Sequence, residues 1–143
     1  MRKVIIYTDG SCYPNPGTGG WAVILKDVIT GKERIMQGGK VDTTISVMEL
    51  TAAVEAIEAL KVNCEVEFYT DSQYVQKGIT EWIATWKHKQ WPKKIKHQKL
   101  WKRLDKARMD HNINWNWVKA HNGNPGNERA DQLAKMARIG IGG

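Results

Sequence analysis

The sequence predicts an α/β fold: a five-stranded mixed sheet with parallel central strands, extended on one side by an antiparallel hairpin and flanked by helices. Three observations point there. Strand-like runs at Val4–Thr8, Glu65–Thr70 and Ile113–Val118 are separated by helix-like stretches, and strands joined through a helix return parallel by a right-handed crossover. Two more strand-like runs, Trp21–Val28 and Glu33–Val41, are separated only by Ile29-Thr30-Gly31-Lys32, which suits a hairpin. At 143 residues the chain is expected to form one domain, residues 1–143, with a sizeable core and no need of disulfide staples.

Each element has its own signal. Val4–Thr8 is continuously apolar rather than alternating, as in a central strand covered on both faces. From Met48 to Lys61 the period becomes helical, with Leu50, Ala53, Val54, Ile57 and Leu60 on one stripe. Ser46 followed by Glu49 matches a capping box at its start. In Glu65–Thr70 the acids Glu65 and Glu67 alternate with Val66 and Phe68, so one face is expected to be wet. Ser72–Trp82 and Ile95–Asp110 read as helices, the second with a basic exposed face. Ile113, Trp115 and Trp117 alternate with Asn114 and Asn116, a half-exposed strand. Asn124-Pro125 then supplies an N-cap and a first-turn proline for a helix to about Ala137. Gly140–Gly143 is expected to fray.

Lysine and arginine exceed aspartate and glutamate by 22 to 15, a net charge of +7. A polyanionic partner is the expectation. Cys12, assigned to a polar loop, and Cys64, at the end of a helix-like run, have neither zinc spacing nor a CxxC partner, and read as free thiols in a reducing compartment. The apolar run after Met1 is too short for a leader, and no stretch reaches membrane-span length. The expectation is a soluble, cytoplasmic monomer.

Four carboxylates carry the chemistry. Asp9 and Asp71 each follow a strand-like run with the same Tyr-Thr lead-in, Tyr7-Thr8-Asp9-Gly10-Ser11 and Tyr69-Thr70-Asp71-Ser72-Gln73. On adjacent parallel strands both project from the carboxyl edge, where ligands of open α/β sheets gather. Glu49 and Asp131 lie in predicted helices able to lean over that edge. Like charges held so close need a counter-charge, and an all-oxygen set suits magnesium or manganese. A basic chain with an acidic metal site points to phosphodiester chemistry. Singly, each acid has a plainer reading: Glu49 as capping partner of Ser46, Asp71 as a helix-start residue, Asp131 as a solvated charge, and His121-Asn122-Gly123 as simple loop.

Taken in order, Tyr7-Thr8-Asp9-Gly10-Ser11-Cys12 with Asn15-Pro16-Gly17, then Met48-Glu49-Leu50, Thr70-Asp71-Ser72-Gln73-Tyr74-Val75, Trp117-Val118-Lys119-Ala120-His121 and Asn127-Glu128-Arg129-Ala130-Asp131 resemble the bacterial type 1 ribonucleases H across nearly the whole chain. The resemblance implies a ribonuclease H-like fold and an endoribonuclease that hydrolyses the RNA strand of RNA–DNA hybrids by a two-metal-ion mechanism, leaving 3′-hydroxyl and 5′-phosphate ends. It implies Asp9, Glu49, Asp71 and Asp131 as metal-binding catalytic carboxylates, two magnesium ions (or manganese) with substrate bound, and His121 as the catalytic histidine of the loop before the last helix. Asp9 would bridge the ions, Glu49 and Asp71 completing one and Asp131 the other. Rivals of other kinds, a strand-transfer enzyme of this fold or a hybrid-binding module without activity, predict extra DNA-binding domains or a missing carboxylate.

Between Lys77 and Arg108 stand eleven lysines and arginines against only Glu81 and Asp105. The resemblance makes residues 82–99 a basic protrusion, with Trp82, Lys87, Lys89, Lys93 and Lys94 toward the DNA backbone; Trp82, Trp86 and Trp101 read equally well as core. Asn15, Gln73 and the backbone near Cys12 are implied to read the RNA 2′-hydroxyl, and Thr44 to meet a DNA phosphate. Two segments depart from the family pattern. Ile45-Ser46-Val47 stands where members often have Asn-Asn-Arg, and Asp42 where an arginine is common. Isoleucine and valine donate no hydrogen bond, so affinity is expected to rest more on the protrusion.

Overall fold

In the computed structural model, which describes residues 1–142, the first strand is longer than its apolar stretch. β1 spans Arg2–Tyr13, because Gly10 to Tyr13, polar enough to read as a turn, pair antiparallel with β2 (Gly17–Asp27) from Gly10↔Trp21 to Tyr13↔Thr18. Cys12 therefore lies in a strand, not a loop. β3 (Glu33–Thr43) completes the expected hairpin. β4 (Cys64–Thr70) runs parallel to β1, and β5 (Asn112–Trp117) parallel to β4, giving the order β3-β2-β1-β4-β5. Cys64 opens β4 and is buried rather than closing a helix. The mixed sheet, with β1, β4 and β5 parallel and the hairpin antiparallel, is as expected, and β1 is its middle strand.

The faces of β1 differ more than a continuous apolar run suggested. Val4, Ile6 and Thr8 are buried, whereas Ile5 and Tyr7 are half-buried. The first set meets α1 (Ile45–Glu58) and a cluster of Leu50, Val54, Ile57, Val66, Phe68 and Trp101. Between β4 and the helix that supplies Trp101, the expected single helix is three joined pieces: α2 (Gln73–Lys77), a π turn at Gly78–Trp82, and α3 (Ile83–His88). That next helix, α4 (Gln98–Ala107), lies behind α1. α5 (Pro125–Gly142) covers the other face, across β1, β2 and β3. It is capped as anticipated, Asn124 Oδ1 accepting the Asn127 amide at 2.9 Å. It also runs through Gly140 to Gly142, beyond Ala137 and into the tail expected to fray; Gly143 lies outside the described residues.

At the start of α1 the capping box is not formed. Thr44 is the N-cap, its Oγ1 accepting from the Val47 amide at 3.3 Å, and Asn15 Oδ1 takes the Ile45 amide at 3.1 Å. Glu49 is thereby released from the helix end and faces the sheet. No described helix is long and apolar enough to cross a membrane.

Candidate active site

Asp9 stands on β1 just beyond Tyr7↔Tyr69, the last pair linking β1 to β4. As the two strands part, a gap opens at the carboxyl edge of the parallel pair, where Asp9 enters it. The next residue must be small. A Cβ at Gly10 would come within 2.6 Å of the Glu49 nitrogen and 2.8 Å of the Met48 carbonyl carbon, so glycine lets the first turn of α1 rest on β1. The Gly10 amide donates to Asp9 Oδ1 at 2.9 Å and also to Glu49 Oε1. One peptide group thus ties two carboxylates together.

Asp71 follows the last residue of β4 and precedes the Ser72 cap of α2. Ser72 Oγ accepts the Val75 amide at 3.1 Å, and the Ser72 amide donates to Thr70 Oγ1 at 3.0 Å. From the end of β5, Val118 donates its amide to the Thr70 carbonyl at 2.9 Å, and Trp117 Nε1 donates to the Asp71 carbonyl at 3.0 Å. Asp131 comes from α5, which approaches β2 closely because Gly20 leaves room for the backbone of Ala134 to Arg138. Arg138 Nε donates to Ser11 Oγ at 3.0 Å, fastening that helix to β1.

Oxygens of Asp9, Glu49 and Asp71 lie within 4.8 Å of one another. Asp131 is outside this trio but lines the same groove of about 410 Å³, with Gln73 and His121 on its walls. Its Oδ2 pairs with Lys135 Nζ at 3.1 Å. Asp9 and Glu49 are only 3% and 6% exposed. Burial first, then the charge of Asp71 and contact with Asp131, pushes Asp9 up to about 8, against a lowering contribution from Glu49. Burial, then Asp9 and Asp71, holds Glu49 well above the usual carboxylate range despite the Gly10 amide. Buried acids in this state lack a counter-charge. Three hard oxygens without a soft ligand fit a divalent cation.

The remaining site residues divide. His121 is exposed in the segment between β5 and α5, with φ 56°, a left-handed backbone that is costly outside glycine. Gln73 is exposed at the start of α2. Asn15 and Thr44 have each committed an oxygen to the α1 start, leaving the Asn15 amide and the Thr44 hydroxyl hydrogen to donate. Lys89, Lys93 and Lys94 are exposed or nearly so. Lys87 differs: its Nζ is 3.1 Å from Asp105, which Arg108 also binds at 2.8 Å. Trp101 is fully buried, and Trp82, 37% exposed, packs on Tyr74 and Trp86. Sequence reasoning missed Gly10 as the link between acids and Trp117 as the partner of the Asp71 peptide. Only the glycine directly after Asp9 gave a trace of the first, and nothing local marked the second.

The RNase H family model matches residues 1–139. Among curated proteins, Ribonuclease H of Hahella chejuensis is 55% identical over 141 residues, covering 95% of this chain and 93% of that protein. Ribonuclease H of a Bradyrhizobium species is 54% identical, covering 97% and 94%. Among solved structures, LC9-RNase H1, described as a type 1 RNase H with the type 2 active-site motif, superposes with a TM-score of 0.91 at 30% identity, covering 98% of this chain and 74% of that one. LC11-RNase H1 in complex with RNA/DNA hybrid shares the fold at a TM-score of 0.71 and 20% identity, covering 96% and 98%. With its fold, its acidic groove and these relatives in agreement, the chain belongs to the RNase H family, metal-dependent nucleases that degrade the RNA strand of RNA–DNA hybrids.

Proposed function

We propose that the chain hydrolyses the RNA strand within a hybrid by a two-metal-ion mechanism, giving 3′-hydroxyl and 5′-phosphate ends, with magnesium as the working ion and manganese as a substitute. The observation that carries this reading is the trio of mutually close carboxylates, two of them buried and, among the described residues, paired with no basic side chain. Divalent ions there would activate the attacking water and stabilise the leaving oxygen. Asp9, at the centre of the edge, would hold the ions together with Glu49, Asp71 and Asp131, which line the same groove. The Gly10 amide holds Asp9 and Glu49 in place before any ion arrives, so little reorganisation accompanies binding. His121 is assigned proton transfer at the departing 3′ oxygen, for which an imidazole is well matched near neutral pH.

On either side of the groove, the Asn15 amide and Gln73 are assigned the minor-groove face of the hybrid, where the 2′-hydroxyl identifies RNA. Thr44 is assigned a phosphate of the DNA strand. Lys89, Lys93 and Lys94 are assigned further DNA phosphates, with the exposed face of Trp82 alongside. LC11-RNase H1, which shares the fold, was solved in complex with an RNA/DNA hybrid.

The test uses a hybrid with an end-labelled RNA strand, incubated with magnesium, manganese or chelator. Cleavage is expected with either ion and none with chelator, and mapped products should carry 3′-hydroxyl and 5′-phosphate ends. Asp71→Asn preserves the shape and removes one charge. It is expected to lower cleavage by roughly 10²-fold or more, since metal-ion stabilisation is worth several kcal/mol, with an unchanged urea midpoint or a higher one. Undiminished magnesium-dependent cleavage by Asp71→Asn would refute the assignment.

A further inference from the structure

We infer that Trp117 is a positioning residue for Asp71: its indole holds the peptide carrying that carboxylate and couples it to the segment bearing His121. This rests on the functional reading above and adds a residue to it. The β4–β5 ladder ends at the pair Thr70↔Trp117, so Asp71 has no strand partner for its backbone. The indole supplies one, Nε1 donating to the Asp71 carbonyl at 3.0 Å. One residue later, the Val118 amide donates to Thr70 at 2.9 Å. Two hydrogen bonds from consecutive residues thus clamp the β4 exit at Thr70 and Asp71.

The clamp has directional consequences. Asp9 is fixed by the β1–β2 ladder, and Glu49 by the Gly10 amide. The Asp71 side chain is only half-buried, and among the described residues no cation pairs with it. Its place in the trio therefore depends on how its backbone is held. Trp117 is 42% exposed and, unlike Trp115, does not pack on the core cluster, so a core contact does not account for an indole at this position. Trp115, two residues earlier on the same face of β5, has a core role instead, its ring 4.8 Å from that of Phe68. Past Trp117 the chain enters the segment that ends at Asn124 and contains the exposed His121. Loss of the clamp would loosen both an acid and the base of that segment.

Trp117→Phe keeps a ring and removes the donor. Because the Asp71 carbonyl lies at the surface edge of the sheet, water can replace the indole and the fold should persist. Calorimetric titration with magnesium and with manganese, without nucleic acid, is expected to show affinity lowered roughly 2- to 10-fold, the range of one net hydrogen bond. In hybrid cleavage the magnesium needed for half-maximal rate should rise by the same factor, kcat should recover toward the parent at high magnesium, and KM for hybrid should stay unchanged. Trp115→Phe is the control: it should lower the urea midpoint and leave the magnesium requirement alone. Unaltered cation affinity in Trp117→Phe overturns the inference. So does an equal shift in both tryptophan variants, which would mean general loosening, or a raised KM with normal cation affinity, which would make Trp117 a nucleic-acid contact. Should Trp117→Phe not fold, the parent decides: the Trp117 indole proton resonance must move on magnesium addition, and a stationary one overturns the coupling. Failure of the functional reading itself looks different, because Asp71→Asn would then bind magnesium and cleave like the parent.

Discussion

The carboxylate groove and the lysine-rich arm both concentrate like charge, and they handle it in opposite ways. In the groove, Asp9 and Glu49 are withdrawn from water and held by a shared backbone donor. Their repulsion is contained by the fold. On the arm, Lys89, Lys93 and Lys94 stay in solvent, where separation and salt screen them. What is rigid there is the support: Trp86 lies edge-on to Trp101 at 5.4 Å and against Trp91 at 6.1 Å, with Lys102 over the Trp91 ring. On the proposed reading, the groove would sacrifice stability for geometry, whereas the arm would contribute long-range attraction at little structural cost. Groove substitutions should therefore change the chemical step or the stability, and arm substitutions the salt-dependent affinity.

The largest separation should come from His121→Ala. If His121 moves a proton in the groove, kcat should fall roughly 10²–10⁴-fold, the scale of general acid–base catalysis, with little change in KM. The check is steady-state kinetics at saturating hybrid and magnesium. An unchanged kcat would return His121 to the role of a loop residue, and the groove would then consist of its carboxylates alone.

Neutralising the arm should have a smaller effect of a different kind. Replacing Lys89, Lys93 and Lys94 by Ala should weaken hybrid binding and make the log K against log salt line shallower, by up to about 0.9 for each phosphate left unneutralised. Cleavage of saturated hybrid should remain near normal. Lys87→Ala sharpens the comparison within the arm. That ammonium is already paired with Asp105, so its removal should change the salt slope less and lower the urea midpoint more. A larger slope change for Lys87 than for any of the other three would show that its ion pair opens to reach phosphate.

How much of this was legible in the residues depended on range. The parallel direction of the first, fourth and fifth strands followed from the helical crossovers, and the four acids stood out because each sits in its own short motif. The capping box misled because Thr44 and Ser46 are equally good caps locally; Asn15, contributed by the β1–β2 connection, occupies the Ile45 amide and settles the start at Thr44. β1 looked short because Gly10-Ser11-Cys12-Tyr13 has the polarity of a turn, while its partner residues Thr18 to Trp21 are visible only once the hairpin is aligned. Lys87 looked like its neighbours until α4 brought Asp105 to it. The clamp from Trp117 joins residues 46 positions apart, beyond any local pattern.

The smallest effect bears on the cost of the groove itself. In chelator, Asp9→Asn should be more stable than the parent at neutral pH, as when functional strain is relieved. The sign follows from the raised folded-state value of about 8 for Asp9 and an ordinary carboxylate value near 4 in the unfolded chain, about that of a model peptide. Below about pH 4 both states are protonated and the acid carries no penalty. Between about 4 and 8 the unfolded chain releases a proton that the folded state retains, so parent stability falls as pH rises, and above about 8 the full penalty is present. The gap between variant and parent should therefore widen from about pH 4 to about pH 8 and then level. Glu49, raised for the same reason, extends the fall in both proteins. Excess magnesium should narrow or reverse the gap, because the intact trio gains binding free energy that the variant loses. Urea unfolding of both proteins at several pH values, in chelator and in magnesium, measures all of this. An Asp9→Asn variant less stable than the parent in chelator near neutral pH would mean that the buried acids do not oppose one another, and the contrast with the arm would collapse.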